Sequence, residues 1–217
     1  MKICGITDPA VGAAAADAGA DYLGLVFAER IRRVTPAEAG VVVAAVAGRV
    51  RAVGVFVDAD AGEVLDARDV AGFEVAQLHG DETPRLCTEL RGEGLDVWKA
   101  LRPRSEADLG LLLERYAAEV DAVLIEGFSP EAAGGTGTAF PYEWLRSCGR
   151  GPTPLVLAGG LTPENVAGAI ESVGPDIVDV SSGVESAPGV KSVERIRAFL
   201  GAVRANASVP RTNEGAT

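Results

Sequence analysis

The chain holds a single histidine, His79, and only three cysteines, Cys4, Cys87 and Cys148. One imidazole with no carboxylate triad at ligand spacing does not make a metal site, and none is expected. Three cysteines are an odd number, and these lie far apart with no CxxC pair, which excludes both a disulfide framework and a thiolate metal centre. A reducing cytoplasm is the compartment this implies. No apolar run approaches the ~18 residues of a membrane span, and the N-terminus shows no apolar signal core, so no membrane partner is expected. Positive charge is scarce as well. Twenty Lys and Arg stand against 31 Asp and Glu, a net charge of -11, which argues against nucleic acid as a partner. An anionic ligand would have to be met by a local cluster of cations or by backbone N–H groups.

What is present is glycine and aliphatic bulk. The chain has 27 glycines and is 47% hydrophobic but only 5% aromatic, a composition that suits many short buried strands joined by tight turns. At 217 residues it is long enough for one sizeable core. Lys2-Ile3-Cys4 reads as a first strand, and Pro9 to Ala18 as a helix capped by Thr7 or Asp8. Tyr22 to Phe27 is a continuous apolar run, the mark of a strand buried on both faces. Thr35-Pro36-Ala37-Glu38 then carries a cap, a proline at the first helical position and an acidic first turn. The same alternation continues through strands at 52–57, 74–78, 96–101, 122–126, 155–158 and 177–180. The helices between them fall at 61–70, 83–91, 106–119, 142–147 and 163–173, and a last one at 192–205.

Eight strands alternating with eight helices, one unit every ~25 residues, predict an α/β chain folded as a single (β/α)8 TIM barrel. A doubly wound open sheet is the rival; it normally uses fewer units, and no GxGxxG follows the first strand here. The barrel is expected over 1–205, and a polar, disordered tail over 206–217.

In such a barrel the chemistry sits at the strand C-terminal ends. Cys4 stands at the first of these, where it reads either as a small buried hydrophobe or as a catalytic thiol. Glu126 ends the sixth strand, either as an acid for proton transfer or as an ion-pair partner of Arg102 or Lys99. A thiolate base, its pKa lowered slightly by local dipoles, facing a shielded carboxylic acid would suit an isomerisation within one substrate. His79, at the fourth strand end, either touches substrate or orients a loop, and Asp58 either caps the next helix or lines the site. Both the seventh and eighth strands end in glycine-rich turns, Gly159-Gly160 and Ser181-Ser182-Gly183. Glycines there let backbone N–H groups approach a phosphate, which is how an acidic protein holds an anion without lysine.

Seven segments in order carry a family pattern: KICGIT at 2–7, AVGVFVD at 52–58, AQLHGDE at 76–82, WKALR at 98–102, GGTGTAF at 134–140, LAGGLTPENV at 157–166 and DVSSGVESAPGVK at 179–191. Across essentially residues 2–200 the chain resembles the phosphoribosylanthranilate isomerases of tryptophan biosynthesis. That resemblance implies an Amadori rearrangement of N-(5-phosphoribosyl)anthranilate, a small phosphorylated substrate, in a cofactor-free monomer or homodimer. It places the general base on Cys4 and the general acid on Glu126, where the family has aspartate. It places the arginine for the substrate carboxylate on Arg32, with Arg33 as the alternative. His79, Gly135 and Asp179 fall among the implied substrate contacts, and Gly159, Gly160, Ser182 and Gly183 on the phosphate. Two other functions stay open: a paralogue acting on a different N-aryl phosphoribosylamine, and a barrel that binds a phosphorylated ligand with little turnover.

Overall fold

Short strands whose side chains are apolar on both faces need cover on both faces, and a closed barrel with an outer ring of helices supplies it. The computed structural model describes residues 1–46, 48–126, 141–148 and 151–207. Eight strands, β1 (Lys2–Cys4), β2 (Tyr22–Val26), β3 (Arg51–Phe56), β4 (Val75–Leu78), β5 (Asp96–Leu101), β6 (Ala122–Ile125), β7 (Leu155–Leu157) and β8 (Ile177–Val180), pair in chain order and close into a barrel. All eight pairings are parallel, including the closing contact between β1 and β8.

The helices are α1 (Pro9–Asp17), α2 (Pro36–Val46), α3 (Ala61–Ala71), α4 (Pro84–Gly92), α5 (Glu106–Tyr116), α6 (Glu143–Cys148), α7 (Val166–Val173) and α8 (Val193–Ala207). Their starts follow the local chemistry. Asp8 accepts from the Ala10 N–H at 2.8 Å, and Thr35 with Glu38 forms a reciprocal box at the start of α2. Asp60 with Glu63 does the same for α3. Each such cap satisfies donors that the helix itself leaves unpaired, worth about 1 kcal/mol.

Side chains separate into two shells because successive strand residues point to opposite faces. Ile3, Leu23, Leu25, Val123, Ile125 and Leu157 face outward against the helices. Val53, Val75, Trp98, Ala122, Leu124 and Val156 fill the barrel interior. Register then fixes the polar exceptions: Lys2 lies opposite Asp179, and Cys4 opposite Gly24.

Three features depart from the sequence-based expectation. The helix expected from Pro163, capped by Thr162, begins only at Val166. The Asn165 side chain is spent on the loop instead, accepting from the Thr162 N–H and donating to the Gly160 carbonyl, both at 2.8 Å. After β8, a 3-10 turn at Ser182–Val184 leads into an antiparallel hairpin of β9 (Glu185–Ala187) and β10 (Val190–Lys191) that the alternation of strands and helices did not suggest. Its signal was local: Pro188-Gly189, with Gly189 at a φ of +80°. Helix α8 runs to Ala207, two residues past the expected end. The rest of the expected tail, and the loop that contains Gly135, lie outside the described residues.

Candidate active site

The strand C-terminal ends surround one cavity, of about 820 Å³ counted with the solvent-open space above it. Cys4, Arg32, His79, Glu126, Gly159, Gly160, Asp179 and Ser182, all singled out in the sequence, line it.

Cys4 points inward from β1 and is only 8% exposed. Its thiol occupies space that Gly24 leaves open: a Cβ there would stand 2.7 Å from Sγ. Two residues earlier on the same inward face, the fully buried Lys2 donates from Nζ to Asp179 Oδ2 at 2.9 Å. Burial pushes the Cys4 thiol above its ordinary pKa, Lys2 and Lys191 draw it back, and Asp179 adds to the rise. The lowered thiol pKa expected from the sequence is therefore corrected. Strand-end dipoles do not outweigh the loss of water around a buried sulfur. Burial also opposes the charge of Lys2, but Asp179 and Cys4 together outweigh it, and the ammonium ends up more basic than usual.

Glu126 directly follows β6, keeps its N–H on Leu101 O, and is buried. Its Oε1 lies 2.8 Å from His79 Nε2, and His79 Nδ1 lies 2.9 Å from Gln77 Nε2. The alternative pairing with Lys99 does not occur. Lys99 turns to the outer side, where it binds Glu82 and the carbonyls of Leu78, Gly80 and Ala100. His79 lines the cavity, and its Nε2 is engaged by the Glu126 carboxylate, a contact that neither reading of His79 named. Asp58 neither caps α3, which Asp60 does, nor lines the cavity. It accepts from the Asp81 N–H at 2.7 Å and ties the β3 and β4 ends together.

Arg32 reaches the cavity; Arg33 does not, and pairs instead with Glu29 at the surface. Arg32 is not bare. Its Nε and Nη2 donate to Glu185 Oε1 and Oε2 at 2.6 and 2.8 Å, the two-pronged geometry that guanidinium and carboxylate favour. Glu185 also accepts from Lys191 Nζ at 2.7 Å and from the Gly189 N–H at 3.1 Å. Burial works against the Glu185 charge, but Arg32 and Lys191 overcome it and bring the carboxyl down to about 2. Gly5 makes room for this arginine: its φ is +78°, and a Cβ there would lie 2.5 Å from Arg32 Cδ.

After β7, Gly159 and Gly160 both hold positive φ, 88° and 64°. Gly183 packs so closely on the next loop that a Cβ would overlap the Leu161 carbonyl oxygen. The two glycine turns are thus pressed together; Gly159, Gly160 and Ser182 line the cavity, and Gly183 lies behind them without lining it. Apposed turns of this kind can present backbone N–H groups to an oxyanion. Among the described residues no group of three or more His, Cys, Asp or Glu side chains could hold a metal ion, and no helix is long and apolar enough to cross a membrane.

Sequence reasoning missed Glu185 and Lys191, although both lie inside a motif it quoted. An acid and a base across a Pro-Gly turn were the available signal. It also missed Lys2 and Gln77, each two residues before a singled-out residue on the same strand face, which is the spacing at which neighbours share the barrel interior.

Comparison with known proteins agrees with this geometry. The family model of N-(5'-phosphoribosyl)anthranilate (PRA) isomerase matches residues 1–202. The N-(5'-phosphoribosyl)anthranilate isomerase of Rubrobacter xylanophilus is 45% identical over 205 residues, covering 94% of this chain and 98% of that one. Among solved structures, phosphoribosyl anthranilate isomerase from Thermotoga maritima superposes with a TM-score of 0.82 at 34% identity, covering 94% of this chain and 98% of that one. Another phosphoribosyl anthranilate isomerase, solved in complex with reduced 1-(o-carboxyphenylamino)-1-deoxyribulose 5-phosphate, gives 0.80 at 32% identity, covering 94% and 97%.

Proposed function

The chain belongs to the N-(5'-phosphoribosyl)anthranilate isomerase family, and on that premise we propose that it converts N-(5-phosphoribosyl)anthranilate to 1-(2-carboxyphenylamino)-1-deoxyribulose 5-phosphate with Glu126 as general acid and Cys4 as general base. The observation that carries the proposal is the cavity itself. One opening is lined by a thiol, a buried carboxyl, an arginine and two apposed glycine turns.

The reaction needs two proton movements and no net redox change. Glu126 delivers a proton to the furanose ring oxygen as the C1'–O bond breaks, and the nitrogen lone pair closes to a Schiff base. The Cys4 thiolate then removes the C2' proton, giving an enolamine that tautomerises to the ketone. A buried thiol forms its thiolate less often, but the thiolate that forms is the stronger base, and the rate follows the product of the two. Lys2 supports that anion from beneath. Arg32, oriented by Glu185, offers its remaining N–H groups to the aryl carboxylate, and Asp179 faces the sugar. The N–H groups of the Gly159–Gly160 and Ser182–Gly183 turns receive the phosphate, and the reaction calls for no cofactor.

Turnover is followed by the loss of phosphoribosylanthranilate fluorescence. Cys4→Ser and Glu126→Gln should each lower kcat by at least about a thousandfold with an unchanged circular dichroism spectrum, the scale at which loss of an essential proton-transfer group is felt. Retention of wild-type turnover by either variant would sink the assignment of that residue.

A further inference from the structure

The barrel closes on a short seam. β1 meets β8 in two register pairs, Lys2 with Asp179 and Ile3 with Val180. The next pair in register would be Cys4 with Ser181, but Ser181, at φ -124° and ψ -84°, has already left the strand direction. A side chain carries the seam one residue further: the Ser181 hydroxyl donates to the Cys4 carbonyl at 3.1 Å. On its other side Cys4 is held by backbone. It stands in register with Gly24, whose carbonyl accepts from the Gly5 and Ile6 N–H groups at 2.8 and 3.0 Å.

Lys191, on β10, fixes that hydroxyl. Its Nζ lies 3.2 Å from Ser181 Oγ, 2.9 Å from Ser181 O and 2.7 Å from Glu185 Oε1. An ammonium has three donors and no acceptor, and these three oxygens take all of them. Because Nζ only donates to Oγ, the serine proton is turned away from the lysine and toward the Cys4 carbonyl. The lysine side chain is 3% exposed, so water does not compete for these bonds. Gly5, directly after the cysteine, lets the parts meet: a Cβ there would lie 3.3 Å from Ser181 Oγ and 2.5 Å from Arg32 Cδ. Lys191 does not itself line the cavity, whereas Cys4, Arg32 and Ser181 do.

We propose that Lys191 is a positioning residue shared by the base and the carboxylate-binding arginine: through Ser181 it holds Cys4 at the closing seam, and through Glu185 it holds Arg32. One ammonium thereby sets the thiol against the guanidinium, and so the reacting carbon of the substrate against its aryl carboxylate. The inference rests on the reading of Cys4 as general base and of Arg32 as the carboxylate's partner. Its two branches separate in kinetics. A displaced base slows proton removal and lowers kcat, and a displaced binding group raises KM.

Three variants test the branches, with circular dichroism as the check on folding. Ser181→Ala cuts the branch to Cys4 and should lower kcat about tenfold with KM within about twofold, within the range that a misplaced reacting group costs. Glu185→Gln cuts the branch to Arg32 and should act mainly on KM. Lys191→Met cuts both, and should lower kcat and raise KM by about tenfold each. Adding Ser181→Ala to Lys191→Met should then cost little more in kcat, because the two act in series. Deuterium at the substrate C2' should slow Ser181→Ala and Lys191→Met at least as strongly as it slows wild type, since proton removal is the step made harder. A weaker isotope effect would place the loss in another step and overturn the branch to Cys4. A Lys191→Met enzyme altered in KM alone would overturn the shared role. Ser181→Ala removes one hydroxyl and no charge, so it decides the Cys4 branch even where Lys191→Met does not fold. Wild-type kcat in Ser181→Ala beside an inactive Cys4→Ser overturns the positioning and leaves the base in place. An active Cys4→Ser overturns the base itself.

Discussion

The Arg32 guanidinium and the Glu185 carboxylate are joined by two parallel bonds of 2.6 and 2.8 Å, so the cation assigned to the substrate's carboxylate already holds a carboxylate of its own. The pair is not an obstruction. A guanidinium has five N–H donors, and Glu185 takes one from Nε and one from Nη2, leaving the Nη1 edge for a ligand. The Glu185 hairpin follows directly from the turn that carries Ser182 and Gly183, so that turn and the anchor of Arg32 belong to one continuous segment. Lys191 closes it, donating to Ser181 O at 2.9 Å as well as to Glu185.

Glu185→Gln should therefore uncouple Arg32 from its anchor. We expect KM for phosphoribosylanthranilate to rise about tenfold with a smaller change in kcat, because positioning of a binding group, not proton transfer, is lost. Stability should fall by ~2 kcal/mol at pH 7, the scale of charge-assisted bonds broken. The pH dependence has a definite sign. The carboxyl titrates near 4.5 when unfolded and at about 2 in the folded chain. Its contribution is complete above about 4.5 and vanishes as pH falls through about 2. Urea unfolding of wild type and variant should show their gap closing over that window, and a gap that stays constant down to pH 2 would refute it.

Lys2 makes a second separable prediction. Lys2→Met leaves Asp179 as an uncompensated buried charge, which costs ~3–5 kcal/mol, whereas Lys2→Met with Asp179→Leu removes both charges and should restore most of the stability. The thiol should report the ammonium independently. In a Cys87→Ala, Cys148→Ala background, the pH at which Cys4 reaches half-maximal alkylation by iodoacetamide should move upward in the double variant. Lys2 lowers the thiol's pKa more strongly than Asp179 raises it. A downward movement would contradict that order.

These polar partners mark the limit of what the sequence displayed. The barrel was legible because strand and helix periods, caps and glycine turns are local signals, and all eight strands lie where the apolar runs put them. Cys4, Arg32 and Glu126 were legible as strand-end residues. Glu185 was not, because its meaning lies in a contact across 153 residues with Arg32. Gln77 was hidden for another reason: a neutral amide inside an apolar strand has no role until its cross-barrel neighbours are known. Arg32 and Arg33 are alike in type and adjacent in sequence, and only the family resemblance ranked Arg32 first. The path of the loop after β2 turns Arg32 into the cavity and Arg33 onto Glu29.

Gly183 tests the phosphate cradle without touching any group that moves a proton. A Cβ on this residue would overlap the Leu161 carbonyl oxygen, a backbone atom that cannot swing aside as a side chain would. Gly183→Ala must then separate the two glycine turns. The expected outcome is a rise in KM and a weaker inhibition constant for inorganic phosphate, each by about tenfold, with both limbs of the kcat–pH profile in place. Unchanged phosphate inhibition would remove these turns from the phosphate site.

Glu126→Asp installs the residue type that the family resemblance implies at this position, yet it should not improve the enzyme. The glutamate's Oε1 is held at 2.8 Å by His79, whose ring is fixed in turn by Gln77 on the same face of β4. Shortening the side chain by one methylene withdraws the carboxyl by roughly 1 Å from a partner that cannot follow, and a displacement of that size at an acid costs up to about a hundredfold. We expect kcat to fall between about ten- and a hundredfold, with KM little changed. A Glu126→Asp enzyme as fast as wild type would mean that the proton is delivered from a position the longer side chain does not need to reach, and that the His79 contact is incidental to turnover.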